Sequence, residues 1–136
     1  MRVLAIDHGT VRMGIAMSDE LKIIAQPLEF IPAEPFSGFL NRLRELLLEY
    51  EVELILLGMP RNMDGSYGEA SLKVREFEVV LKNGITMPIK TWDERLTSVQ
   101  ANRVLSQAGV RKQKKRKNVD AIAAAILLQS YLDSLA

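Results

Sequence analysis

At 136 residues, 48% apolar and 26% charged, the chain fits one folded domain over 1–136 and leaves no room for a second. It carries no cysteine and a single histidine, which excludes a disulfide scaffold and a thiolate metal centre and leaves any metal to oxygen ligands. Net charge is only +1, yet six of the seven residues Arg111 to Lys117 are basic, so the rest of the chain is net acidic and the field is polarised.

The chain opens on an apolar run, Val3, Leu4 and Ile6, that ends in Asp7, turns at Gly9-Thr10 and resumes at Ile15-Ala16-Met17, the pattern of a β-hairpin. Asp7 then stands at a strand end, where a carboxylate either accepts hydrogen bonds from the turn or serves as a metal ligand on a rigid strand. Ile23 to Ala25 and Leu28 to Ile31 suggest a third strand, interrupted or ended near Pro27 and Pro32, completing an antiparallel meander. Pro35 suits the first turn of a helix whose apolar face is Phe36, Phe39, Leu40, Leu43, Leu46, Leu47 and Tyr50. Residues Val52 to Gly58 are a buried strand, parallel to a neighbour because a helix precedes them.

Met59 to Gly68 carries Pro60, Asp64-Gly65 and Gly68 and reads as a loop at the carboxyl end of that fourth strand. A helix is expected from about Glu69 to Lys82, with Ala70, Val74, Phe77 and Leu81 inward and Asn83-Gly84 ending it. Met87 to Trp92 makes a fifth strand. DERLTS at Asp93 to Ser98 leads into another helix, with Ala101, Val104, Leu105 and Ala108 inward and Gly109 as its stop. Like charges crowd Arg111 to Lys117, which predicts a mobile loop; Asn118 is then the N-cap of a last helix, Val119 to about Ser134, whose small residues suit close packing on a sheet. The longest apolar segment, Ala121 to Leu128, is far below the roughly twenty residues of a membrane span. No signal-peptide pattern precedes Asp7, so a cytoplasmic protein is expected. The order β-β-β-α-β-α-β-α-α predicts a ribonuclease H-like α/β fold: a five-stranded mixed sheet, an antiparallel meander followed by two parallel strands, flanked by helices, with the first strand central and the fourth beside it.

Three carboxylate positions stand at element boundaries: Asp7, the pair Asp93-Glu94, and Asp120. Each alone has an ordinary explanation, in a turn or at a helix N-terminus. Together they converge on the crevice at the strand ends of an open α/β sheet, where three acids repel unless a cation neutralises them. Mg2+ or Mn2+ is the natural choice for carboxylates and water. The fifth strand lies two places from the first, about 9.5 Å away, so Glu94 must reach across the end of the fourth, where Gly58 leaves room.

DHGTVRMGIA from Asp7, GMPRNMDGS from Gly58, DERLTS from Asp93 and KNVDAIAAAILL from Lys117 resemble the YqgF/RuvX family, and the four motifs, in order, touch every part of the chain. Departures are small: His8 stands where an apolar or aromatic residue is commoner, and Met13, Met59 and Ser98 replace similar residues. The resemblance implies a ribonuclease H-like nuclease, described for the family as a proposed Holliday-junction resolvase and as a nuclease maturing the precursor of small-subunit ribosomal RNA. It implies Asp7, Glu94 and Asp120 as the catalytic and metal-binding triad, with Arg12, Asp93 and Arg95 in support. The expected chemistry is metal-assisted phosphodiester hydrolysis on structured RNA or branched DNA, with water activated at one ion and the leaving oxygen stabilised at another.

Arg12 and Arg95 either neutralise phosphate or pair with the acids. Arg111, Lys112, Lys114, Lys115, Arg116 and Lys117 are expected to hold the nucleic-acid backbone beside the acids without reading bases. His8, Ser66 and Tyr67 are further candidates for substrate contact, whereas Trp92 reads better as core. A two-fold homodimer would suit symmetric junction cutting. AIDHGT also resembles the first phosphate loop of sugar kinases, Hsp70 and actin, but those proteins clamp nucleotide between two domains. The more serious rival is a non-catalytic nucleic-acid-binding factor in transcription or ribosome assembly.

Overall fold

Alternation along the first strand decides which side of the sheet each residue serves. In β1 (Arg2–Asp7), Leu4 and Ile6 enter one hydrophobic core, and Val3 and Ala5 enter the other. These relations come from a computed structural model that describes residues 1–60, 64, 66–94 and 112–135, with the backbone alone described for 112–118. β1 pairs antiparallel with β2 (Arg12–Ser18), which pairs antiparallel with β3 (Ala25–Pro32). On its other side β1 pairs parallel with β4 (Val52–Met59), and β4 with β5 (Ile89–Asp93), giving the order β3-β2-β1-β4-β5. The expected meander, central first strand and parallel pair are all present.

Helix α1 (Phe36–Glu49) begins just after Pro35 and buries Phe39, Leu43 and Leu46, with Phe36, Leu40, Leu47 and Tyr50 partly buried beside them. Helix α2 (Glu69–Gly84) buries Val74, Phe77 and Leu81 in the same core. In its first turn the inward residue is Ser71, not Ala70, which is exposed. The buried Ser71 hydroxyl donates to the Gly68 carbonyl at 2.7 Å, so its polarity is satisfied. Pro27 lies within β3 rather than ending it, opposite Ala16 and next to a register shift. An edge strand tolerates proline because one row of its amides has no ladder partner.

The opposite face is covered by α3 (Lys112–Ser134), through Ala121, Ala124, Ala125, Leu128 and Leu132, against Val3, Ala5, Ala16 and Leu56. Gln129 ties this helix to the sheet edge: its Oε1 accepts from the Ala25 amide at 2.9 Å and its Nε2 donates to the Ile23 carbonyl at 2.9 Å. Two expectations are corrected here. Residues 112–117 are helical rather than a loop, and Asn118 lies inside α3 rather than capping it. Lysine, arginine and glutamine are good helix formers, and that propensity outweighs their mutual repulsion. Asp120 consequently sits more than two turns into the helix, beyond the influence of its N-terminal dipole. The helix expected through Ala101 to Ala108, its stop at Gly109, and the side chains of Arg95 and of Arg111 to Asn118 lie outside the described residues.

Candidate active site

The same alternation sends Asp7 to the α3 side of the sheet, one step beyond Val3 and Ala5. Directly opposite it in the hairpin is Gly14. A β-carbon at Gly14 would overlap the carbonyl oxygen of Asp120, so the missing side chain is what lets α3 settle against β2 beside Asp7. Sequence reading missed Gly14, although an isolated glycine inside an apolar strand is a recognised sign of close backbone approach.

Glu94 follows directly on β5, where Trp92 and Asp93 pair with Gly58 and Met59 of β4. Its side chain crosses the end of β4 above Gly58, whose absent β-carbon would lie 2.5 Å from Glu94 Oε1. It thereby reaches Asp7, and the two carboxyls share a hydrogen bond. Gly58 solves the interstrand gap as the sequence suggested.

Burial is the largest influence on Asp7, followed by the charge and hydrogen bond of Glu94 and the charge of Asp120; together they push its pKa up to about 7. Glu94 is also raised, by burial first, but its bond to Asp7 pulls the other way and Asp93 adds repulsion. Burial and mutual repulsion thus disfavour charging both carboxyls at once, and the pair as a unit holds a proton more tightly than an ordinary carboxylate does. Asp120 is turned toward Arg12, with Oδ2 at 3.2 Å from Nε, and the Arg12 guanidinium lies 5.4 Å from the centre of the Phe30 ring.

Asp7 and Glu94 are thus in contact, with Asp120 close enough to act on Asp7 and held by Arg12. Asp93 ends β5 half-buried. His8 turns away from the acids to pack on Phe77, ring centres 5.0 Å apart, and burial together with the Lys73 charge holds its pKa below the ordinary value. Trp92 is a core residue, edge-on to Tyr131 at 5.2 Å, with Nε1 donating to Ser130 Oγ at 3.3 Å. Ser66 donates through both N and Oγ to Asp64 Oδ1, at 2.9 and 2.6 Å, and Tyr67 lies under the Arg75 guanidinium.

Crowded, partly buried carboxylates of which one must keep a proton form a donor set suited to a hard divalent cation. Among the described residues no three acidic or histidine side chains are already gathered into a metal cage, and Asp120 is engaged with Arg12. The chemistry of the donors fits Mg2+ or Mn2+, and a ligand set of three requires Asp120 to turn from Arg12. In front of the pair lies a cavity of about 400 Å³, bounded by Asp7, His8, Thr10, Pro60, Lys73 and Glu94.

Comparison with known proteins follows the same lines. The model of the RuvX family, described as Holliday junction resolvase, matches residues 1–134. A protein of Desulforamulus reducens is 46% identical over 134 residues, covering 98% of each chain, and one of Clostridium novyi is 44% identical over 135 residues, covering 99% of this chain and 100% of the other. Both carry the name pre-16S rRNA nuclease, as a proposed activity. The structure of T. thermophilus RuvC in complex with Holliday junction substrate superposes with a TM-score of 0.64 at 18% identity, over 100% of this chain and 97% of that one. That likeness establishes the ribonuclease H-like fold.

Proposed function

The chain belongs to the RuvX family, and from that premise we propose that it is a divalent-metal-dependent nuclease that hydrolyses phosphodiester bonds in the precursor of small-subunit ribosomal RNA. The observation that carries this reading is the Asp7–Glu94 contact at the carboxyl ends of β1 and β5, with Asp120 beside it. The names of relatives at 46% and 44% identity favour ribosomal RNA, while the family description, Holliday junction resolvase, makes a four-way DNA junction the second substrate to test.

Asp7, Glu94 and Asp120 would hold the metal, which when bound supplies Lewis acidity toward the phosphate and a nucleophile from water. The residues themselves do the positioning. Asp7 would bind the cation as a carboxylate, so that metal and proton would compete for it. Asp120 would have to leave Arg12 to hold the cation, and Arg12, nearly half exposed, would then be placed to neutralise a substrate phosphate. The basic start of α3 extends outward from Asp120; at about 1.5 Å per residue its backbone reaches roughly 12 Å beyond that residue, and it holds the nucleic-acid backbone that the acids repel.

The test is cleavage by purified protein of a ribosomal RNA precursor and a four-way junction side by side, with and without Mg2+ or Mn2+, and with Asp7→Asn as the control for contaminating nuclease. Metal-dependent cutting of the RNA, absent in the variant, is expected. Equal activity of the variant would refute the site, and cutting of the junction alone would refute the substrate.

A further inference from the structure

We propose that Lys73 is a substrate-contacting residue, its ammonium binding a phosphate next to the one that is cut, on the α2 side of the acids. This rests on the nuclease reading above and names a contact of the same site that neither the motifs nor the acidic set includes.

Lys73 forms part of the wall of the cavity whose floor holds Asp7 and Glu94, and also of a second cavity of about 400 Å³ bounded by His8, Gly9, Thr10, Phe36 and Phe77. It follows immediately before the buried Val74, which fixes its place on the helix at the edge of the cleft. Two acids stand at helical spacing from it, Glu69 four residues before and Glu76 three after, and the first of these is the more favourable arrangement for a pair. Among the described residues Lys73 pairs with neither, whereas Lys82, farther along the same helix, does pair with Glu78 at 3.5 Å. Lys73 thus keeps a solvated charge beside the acids, on the wall it shares with His8.

An anionic strand approaching Asp7, Glu94 and Asp120 meets repulsion on every side that lacks a cation. Arg12 supplies one on the β2 side and the basic start of α3 lies on the α3 side; among the described residues lining the cavity, Lys73 is the cation that faces Glu69 and Glu94 from α2. A lysine there acts as a point charge on a flexible stem and follows phosphate, not base identity. The strand is thereby gripped from both faces of the sheet, with the cut phosphate between the grips.

The experiment is a salt titration of binding to a labelled RNA spanning the precursor cleavage site, in Ca2+ buffer, for wild type, Lys73→Ala, Lys73→Arg and the remote Lys82→Ala. Lys73→Ala should make the slope of log affinity against log salt shallower by about 0.7–0.9 units, the loss of one phosphate contact, with Lys73→Arg restoring it and Lys82→Ala matching wild type. In cleavage the same loss should appear mainly as a higher KM. An unchanged slope in Lys73→Ala, or an equal change in Lys82→Ala, would overturn the assignment. Because binding is read without turnover, a wild type that binds with the expected slopes yet never cleaves would defeat the nuclease reading and leave the Lys73 contact standing.

Discussion

Gly58 lies directly beneath the Glu94 carboxylate: a β-carbon on it would stand 2.5 Å from Glu94 Oε1 and 2.9 Å from Leu127 Cδ2. Both neighbours are ends of flexible side chains, so the fold can yield while Glu94 cannot keep its place. Gly58→Ala is therefore expected to cost about 1 kcal/mol of stability or less but to lower cleavage about a hundredfold, as ångström-scale misplacement of a reacting group does. Urea midpoints and kcat/KM measured together would check it, and an active variant would show that Glu94 is not needed where it stands.

Gly14 behaves in the opposite way. There the obstacle is the Asp120 carbonyl, which belongs to the backbone of α3 and can move only with the helix. Gly14→Ala should destabilise by about 1–3 kcal/mol, the range of overpacked cores, and reduce activity as α3 lifts. Unfolding curves of the variant that match wild type would contradict the close approach of α3 to β2.

The Asp7 carboxyl sets a pH dependence whose sign is fixed. Its folded pKa is about 7 against an ordinary 3.8, so between those values the folded, metal-free protein keeps a proton that the unfolded chain has released. Stability in EDTA should therefore fall as pH rises from about 4 to about 7 and level off above, and the raised Glu94 adds in the same direction. Asp7→Asn should flatten this slope and stabilise the metal-free protein at neutral pH while abolishing cleavage. Apparent metal affinity should rise through the same window, because the cation competes with that proton. Urea midpoints that run parallel in wild type and variant across this range would exclude the buried, protonated Asp7.

Replacing Lys114, Lys115 and Arg116 with Ala should weaken RNA binding alike for different sequences and make the salt slope shallower by up to about three units. Alanine is the strongest helix former, so the helix at the start of α3 should survive, as circular dichroism would report. A slope equal to that of wild type would leave the basic run a solvated helix end.

Much of the layout was legible because periodicity carries it. Phe39, Leu43 and Leu46 fall on one helical stripe, and Val3-Leu4-Ala5-Ile6 reads as a strand buried on both faces. Asp7 and Glu94 stand at strand ends, as expected, whereas Asp120 lies well inside α3 and not in its first turn. What the sequence hides is held in backbone proximity and in competing tendencies: Gly14 looks like any small strand residue until α3 is laid across it, and in the basic run helix propensity wins over the like-charge repulsion that favours a loop. Ala70 and Ser71 exchanged places because a one-residue difference in helical phase turns a side chain by about 100°. Lys73 carried no sequence signal beyond its charge. Only its place beside the acids singles it out.

The acids are widely spaced along the chain: Asp7 lies in the first strand, Glu94 past the fifth, and Asp120 in the last helix. During synthesis Asp7 emerges from the ribosome long before Asp120, and the Gly14–Asp120 contact cannot form until α3 has docked over the finished sheet. The three acids are therefore brought together only when the first strand, the fifth strand and α3 are all in place, so the proposed site is a property of the assembled sheet and its covering helix and of no shorter piece of it.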